Sequence, residues 1–365
     1  MALVEALVSH KAERSLGSAM LPHVANFVSL GLSPRTAGPL TALASQLAPT
    51  TVDEALDAAV QLGAIAPSPG TGSTADLWQA LATLAAHDLG AARAIEPHLD
   101  ALAILQQAGY ESPTDAAASA AHSWGVFAAE GGDDPLTATP VVDGWRLTGT
   151  KPWCSLAGRL DRALVSAHTE HGGRRLFAVD LTRPGTRVVA DSWHARGLTE
   201  IPSGPVLFHT AVGEPVGDEG WYLSRPGFAW GGIGVAACWF GGAVGIARTV
   251  FAAARDDKPF SLMHLGAIDD LLETARRALA EAAELVDAGS DDGATLALRV
   301  RATVARACEE ILDRAAHALG PAALALDAAH AKRVADLQLY VRQHHAERDQ
   351  HALGASLLAA GVAPW

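Results

Sequence analysis

Twenty-two consecutive residues without a charge, Pro226 to Ala247, separate Arg225 from Arg248. No other feature of the chain limits its fold so tightly. A stretch of this length matches the roughly 20 residues that a helix needs to cross a bilayer. Seven of the 22 are glycine, and neither flank carries a marked excess of Lys and Arg. Small residues let a helix approach its neighbours closely. The stretch is therefore expected as the buried central helix of a soluble bundle, not as a membrane span. The rest of the chain can enclose such a helix, because 49% of its 365 residues are hydrophobic and only 18% are charged, a balance that excludes wholesale disorder.

Forty acids against 27 bases give a formal charge of -13. No stripe of Lys and Arg is visible, so a nucleic-acid surface is not expected. Cys154, Cys238 and Cys308 lie far apart with no C-x-x-C pair, which argues against a disulfide framework or a zinc site and suits a reducing cytoplasm. The opening MALVEALVSHKAERS lacks the basic start and apolar run of a secretory signal. The expectation is a cytoplasmic protein.

Three regions follow from periodicity. Residues 1–121 are Ala/Leu-rich and helical in period: Leu77, Leu81, Leu84 and Ala85 share one face, with Ser73 or Thr74 placed to cap their helix and Ala108-Gly109 to end the run. Residues 122–222 change to short alternating runs separated by Gly, Pro and Asp, and Asp143-Gly144 reads as a tight hairpin turn. This pattern predicts a small antiparallel β domain, a compact barrel or sandwich. Residues 223–365 return to long helical patterns, the last of them running through AKRVADLQLYVRQHHAERDQHALG. They predict a four-helix bundle. The fold class is multidomain α+β, in the order helices, β domain, helices.

Two motifs are weaker than they look. Gly232 to Ala237 fits G-x-G-x-x-A, yet the dinucleotide turn needs a strand before it, and YLSRPGFAW is no strand. His344, His345, Glu347 and Asp349 have metal-like residue types, but a di-metal bundle wants Glu-x-x-His twice, and here one copy stands in reversed order. No metal site is expected.

The segment GWRLTGTKPWCSLAGRLDRALVSA (Gly144 to Ala167) carries more. It resembles the β-domain signature of the acyl-CoA dehydrogenase family: a hairpin, then G-x-K-x-W-x-T/S-x-A, then Asp and an apolar strand. WGVFAAEGGDDPLTA (Trp124 to Ala138) is similar to that family's flavin-contacting loop, and GLTEIPSGPVLFHTAVG (Gly197 to Gly213) to the strands that close its β domain. Arg225 to Phe260 resembles its first long C-terminal helix, while HALGPAAL and Ala335 to His345 resemble its last ones. The likeness covers nearly the whole chain in matching order.

The resemblance implies an FAD between the β domain and the bundle. Trp153 and Ser155 match the family's Trp-x-Thr, whose ring flanks the isoalloxazine and whose hydroxyl bonds the flavin. Arg255 matches an arginine on the pyrophosphate. His317 falls where a glutamine usually reaches a neighbouring subunit's FAD, which implies a homodimer or homotetramer. Where the family's loop reads T-E-P-x-x-G-S-D, this chain has Ala128-Ala129-Glu130-Gly131-Gly132-Asp133-Asp134. The flavin-bonding threonine and a serine tied to CoA recognition are absent.

The general base departs as well. Dehydrogenation of a thioester needs a carboxylate to remove the α-proton while flavin takes hydride. The family's step from Asp336 lands on His344, or on His345 if the register shifts by one. A second location used by some relatives reads Val235. The resemblance thus implies an FAD-dependent oxidoreductase on a small molecule, an acyl thioester or another compound, with non-standard chemistry. The alternatives are a flavin monooxygenase on the same scaffold, and an inactive flavoprotein or structural subunit partnering a paralogue.

Overall fold

The computed structural model describes residues 27–31, 36–110, 121–170, 172–289 and 292–365; the helical reading of 1–26 and 111–120 falls outside them. Four helices come first: α1 (Pro39–Leu47), α2 (Val52–Gly63), α3 (Thr74–His87) and α4 (Leu89–Gln107). A capping box starts α2, with Thr51 and Glu54 each accepting the other's backbone N–H. In α3 the residues Leu77, Leu81, Leu84 and Ala85 are all buried. Its start differs from the expectation. Ser73 stands at the cap position but makes no side-chain capping bond. A carboxylate distant in sequence takes over, because Asp287 accepts the backbone N–H of Gly72 at 2.9 Å and of Thr74 at 3.0 Å.

Seven strands follow: β1 (Trp124–Phe127), β2 (Thr137–Val141), β3 (Gly144–Lys151), β4 (Arg162–His168), β5 (Arg174–Asp180), β6 (Thr186–Val188) and β7 (Val206–Val216). The sheet runs β1-β4-β2-β3-β7-β5, and β5 pairs back onto β4, so five strands close a small barrel with β6 added on β7. The sheet is mixed where an antiparallel one is expected. The β1–β4 pairing is parallel, as is the single β2–β4 pair Thr137–His168. The hairpin also shifts by one residue: Val141 pairs with Gly144, leaving Val142-Asp143 as the loop. Only Gly144 takes a positive φ, at 118°. Glycine opens β3 there instead of sitting in the turn.

The C-terminal helices are α5 (Trp221–Ser224), α6 (Pro226–Ala253), α7 (Pro259–Asp287), α8 (Gly293–Leu319), α9 (Pro321–Leu326), α10 (Ala328–Tyr340) and α11 (Glu347–Ala359). The uncharged stretch forms α6, and 67% of its most apolar window is buried inside the protein. Its glycines serve close packing: a Cβ at Gly241 would stand 2.2 Å from the carbonyl oxygen of Ala82 on α3. Gly232 to Ala237 lies inside this helix with no strand before it, so it is not a dinucleotide turn.

The last long pattern is not one helix. After Tyr340 the chain passes through a 3-10 turn (Val341–Gln343), and Ala346 adopts φ 47° before α11 begins. Asp349 holds the break by accepting the backbone N–H of His345 at 3.0 Å. The three regions meet at Lys332 on α10. Its ammonium lies 2.7 Å from Asp336, 2.7 Å from Glu200 and 3.1 Å from Asp88, while Asp336 accepts the N–H of Leu198 at 2.6 Å. This hub locks the loop before β7 against the α3–α4 junction and α10.

Candidate functional site

The loop between β3 and β4 carries Trp153 and Ser155. Two left-handed residues shape it, Trp153 at φ 59° and Leu156 at φ 57°, a conformation that non-glycine residues hold only when surroundings enforce it. The enforcement is visible. Cys154 N–H donates to the Gly204 carbonyl at 3.1 Å and Leu156 N–H to that of Pro202 at 2.9 Å. The result turns the Trp153 indole outward, 61% exposed, with Trp193 edge-on at 6.4 Å. Ser155 faces inward and is buried.

What Ser155 meets was not anticipated from sequence. Its hydroxyl accepts from Arg93 Nη2 at 2.9 Å and lies 2.7 Å from the Ser203 hydroxyl. Arg93 and Glu96 sit one turn apart on α4, paired at 3.6 Å with side chains 14% and 10% exposed. Pro97 lies inside the same helix and has no N–H to offer the Arg93 carbonyl four residues back, which loosens the helix there. Burial pushes the Glu96 carboxyl from 4.5 up to about 7, although Arg93 pulls it down. The guanidinium of Arg93 also lies over the Tyr340 ring, 5.7 Å from its centroid. The sequence signal for this group was the charges of Arg93, Glu96 and Asp100, spaced three and four apart along α4.

Beyond Tyr340 the network continues to His344. Trp239 on α6 meets the Tyr340 ring edge-on at 6.4 Å. Arg301 on α8 lies 4.7 Å above Trp239 and donates to the carbonyls of Gly232 at 2.6 Å and Gln343 at 2.8 Å. His344 is enclosed, its side chain 8% exposed, with Asp349 at 3.9 Å. Burial lowers its pKa, more than Asp349 raises it, so the imidazole is neutral at pH 7. His345 is 53% exposed and bonded to Asp349 at 3.2 Å. The break after Tyr340 thus turns His344 in and His345 out. Three buried polar atoms here have no hydrogen-bond partner: Tyr340 Oη, Trp239 Nε1 and His344 Nε2. The described contacts carry His344 to Arg301 and Asp349, and none joins it directly to Trp153 or Ser155.

The loop after β1 is fastened by a second polar cluster. Glu130 takes Lys151 at 2.8 Å, Arg174 at 2.8 Å and His168 at 2.7 Å. Burial raises its pKa, yet the bonds from Lys151 and His168 and the charge of Arg174 together hold it below the ordinary value. The carbonyl of Ala128 accepts from Arg174 at 3.0 Å. Ala128 and Ala129 therefore offer backbone, on a loop anchored through Glu130 to the lysine that precedes Pro152-Trp153.

Arg255 and His317 lie elsewhere. Arg255 is exposed just past the end of α6. His317, 63% exposed on the last turn of α8, is 3.8 Å from Asp313 and stacks edge-on at 5.8 Å with His264 near the start of α7. Both mark the end of the bundle where α7 begins, and no described contact links them to Ser155. Nucleophilic cysteine chemistry has no support: all three thiols are buried and raised by that burial, Cys154 to about 12. No group of three metal-ligating side chains occurs among the described residues.

The loop thus presents an exposed indole at Trp153 and, on its inward side, a buried hydroxyl at Ser155 engaged by Arg93 and Ser203. In the sequence, residues 218–346 match the family model described as acyl-CoA dehydrogenase, C-terminal domain. None of the curated proteins compared with the chain matches it. Among solved structures, butyryl-CoA dehydrogenase from Megasphaera elsdenii superposes with a TM-score of 0.74 at 18% identity, covering 87% of this chain and 97% of that one. The FMN- and indole-bound TdsC from Paenibacillus sp. A11-2, a dibenzothiophene monooxygenase, gives 0.73 at 19% identity over 89% and 97%. KijD3 in complex with dTDP gives 0.71 at 19% identity over 89% and 98%. Residues 218–346 thus match the acyl-CoA dehydrogenase C-terminal domain, and the described chain shares the fold of these solved structures.

Proposed function

We propose that this protein is an FAD-dependent oxidoreductase on the acyl-CoA dehydrogenase fold that does not carry out ordinary straight-chain acyl-CoA dehydrogenation. The observation that carries the reading is the Arg93–Ser155 bond at 2.9 Å beside the exposed Trp153, in the positions expected to hold flavin. Trp153 would cover the ring system, Ser155 would bond it, and the backbone of Ala128 and Ala129 would border it. Bound flavin would supply hydride acceptance or, once reduced, reaction with oxygen. FAD is favoured over FMN because Arg255, exposed and without an ion pair among the described residues, is available to a pyrophosphate.

The residues themselves decide what substrates suit the site. His344, where a glutamate is expected, is a neutral imidazole and cannot act as an anionic base. Arg93 brings positive charge to Ser155 in a largely water-excluded place, which favours negative charge developing on a neighbouring molecule. Both features favour the monooxygenase alternative, or an acidic substrate, over a straight-chain thioester. Glu96 supports dehydrogenation as the second reading: a buried carboxyl held near neutral pH has the proton affinity of a general base.

The test begins with reconstitution. Purified protein is mixed with FAD or FMN, and the retained flavin is identified by absorbance and chromatography. The loaded protein is then assayed with acyl-CoA thioesters and an artificial acceptor, and separately with reduced flavin, oxygen and a panel of aromatic and sugar substrates. Robust acyl-CoA turnover overturns the non-standard chemistry, and failure to retain either flavin overturns the whole reading.

A further inference from the structure

We propose that the cavity between α4, the start of α6 and the loop joining α2 to α3 is a binding site for a neutral polyhydroxylated ring, that is, a sugar with adjacent hydroxyls. The site lies toward the opposite end of α4 from Arg93 and does not rest on the flavin reading. The cavity measures about 300 Å³ and is walled by Asp100, Gln106 and Gln107 on α4, by Arg225 and Trp230 at the start of α6, and by residues 68–71 of the loop. That is roughly ten times the ~30 Å³ share of a water molecule and the lower end of small-molecule sites at ~300–1,000 Å³. The loop is fixed before any ligand arrives. Gly70 N–H donates to Thr74 Oγ1 at 2.8 Å, Thr71 Oγ1 to the Ser68 carbonyl at 2.7 Å, and Asp287 accepts the N–H of Gly72 at 2.9 Å. Gly70 sits at φ 82°, and a Cβ there would stand 2.9 Å from the Trp230 ring, so only glycine lets the loop close on that indole.

The polar groups on the walls decide the ligand. Arg225 is only 6% exposed, and Gly227 leaves the room its guanidinium occupies, since a Cβ there would stand 2.2 Å from Nη1. Nη1 donates to Gln107 Oε1 at 2.9 Å. Nη2 lies 3.8 Å from Asp100, beyond hydrogen-bond range, and Nε is buried without an acceptor. Asp100 in turn accepts no hydrogen bond among the described residues, and burial raises its pKa more than the charge of Arg225 lowers it. The guanidinium has donors only, so Gln107 gives it the carbonyl oxygen and keeps its amide N–H2 for another partner. Buried donors and acceptors left unmade are costly. One hydroxyl between Arg225 Nη2 and Asp100 answers both, accepting from the first and donating to the second. A neighbouring hydroxyl can meet Gln107 while the C–H face of the ring lies on Trp230. An anion would face Asp100, a cation would face Arg225, and an apolar molecule would leave both unmet.

The test uses the full chain and saturation-transfer NMR observed on the ligand. Glucose, galactose, xylose, ribose and adenosine are each offered at about 10 mM, enough to detect millimolar affinity. Adenine, acetate, ethylammonium and toluene serve as controls. At least one of the sugars or adenosine is expected to receive saturation, and the controls are not. Transfer to a free sugar assigns the site to sugars, and transfer to adenosine alone assigns it to the ribose of a nucleoside. Ala103→Phe, which fills the cavity from its α4 wall, should abolish the signal. Asp100→Asn, which keeps the shape and removes the charge, should weaken affinity about tenfold, the scale of a hydrogen bond to a charged group. Circular dichroism confirms the fold of both variants, and should Ala103→Phe not fold, Asp100→Asn alone decides. Silence from every sugar and adenosine, equal transfer to any control, or unchanged affinity in Asp100→Asn overturns the proposal. A signal that survives in folded Ala103→Phe overturns it as well.

Discussion

Replacing Glu96 by glutamine removes one ionisation from the centre of the candidate site while keeping size and shape. The carboxyl is held at about 7 in the folded protein against an ordinary 4.5, so the native state binds its proton more tightly than the unfolded chain does. Stability carried by that proton is fully present below about 4.5 and is lost as pH rises through 7. The difference amounts to about 3 kcal/mol at about 1.4 kcal/mol per tenfold change in proton affinity. Glutamine has no such proton, so the stability of Glu96→Gln relative to wild type should rise by about 3 kcal/mol between pH 4.5 and pH 8. A constant offset between the amide and the protonated carboxyl shifts the whole curve and leaves its slope untouched. Every other titrating group, including His344, is common to both proteins and cancels in the difference. Urea denaturation of the two apoproteins at pH 5, 6, 7 and 8, with equal slopes against denaturant, reads the quantity directly. A difference that stays flat within about 0.5 kcal/mol across that range would refute the argument, since a flat curve means Glu96 titrates alike in the folded and unfolded states.

Other substitutions probe the frame and the assembly. Gly241→Ala places a Cβ 2.2 Å from the Ala82 carbonyl oxygen, and thermal unfolding should show a loss of about 1–3 kcal/mol as α6 is forced off α3; an unchanged melting temperature contradicts the close packing. Trp153→Ala deletes an indole that is mostly exposed, so flavin affinity should fall about tenfold while stability stays within about 0.5 kcal/mol, as checked by fluorescence titration and melting on the same sample. His344→Glu restores a carboxylate at the position where the family carries its base; acyl-CoA turnover above wild type would support the site assignment, and equal turnover in wild type and His344→Ala would count against it. Phe260, Leu326 and Trp365 are 76%, 85% and 93% exposed, and light scattering at micromolar concentration should find a dimer or tetramer hiding on the order of 2,000 Å² per interface; a monomer rejects that expectation.

The order of helices, strands and helices was legible in the chain because periodicity is a local property: Leu77, Leu81 and Leu84 recur with a helix's spacing, and Leu176 to Val179 is a short apolar run bounded by charges, as a buried strand is. The uncharged run from Pro226 to Ala247 could be read as a buried helix, since its glycines have a use only where another backbone comes close. Trp153 and Ser155 were visible as a motif. What surrounds them was not. That β4 pairs with β1 in parallel on one edge while closing the barrel with β5 on the other depends on contacts between separate segments. His344 and His345 are neighbours with identical chemistry, and only the break at Ala346, held by Asp349, decides which ring is enclosed. Arg93 and Ser155 stand 62 positions apart, so no window of sequence contains both. The chain's own pattern sets what each segment can bury; the tertiary structure alone sets which buried charge faces which hydroxyl, because that pairing is made by three-dimensional approach and leaves no periodic trace along the chain.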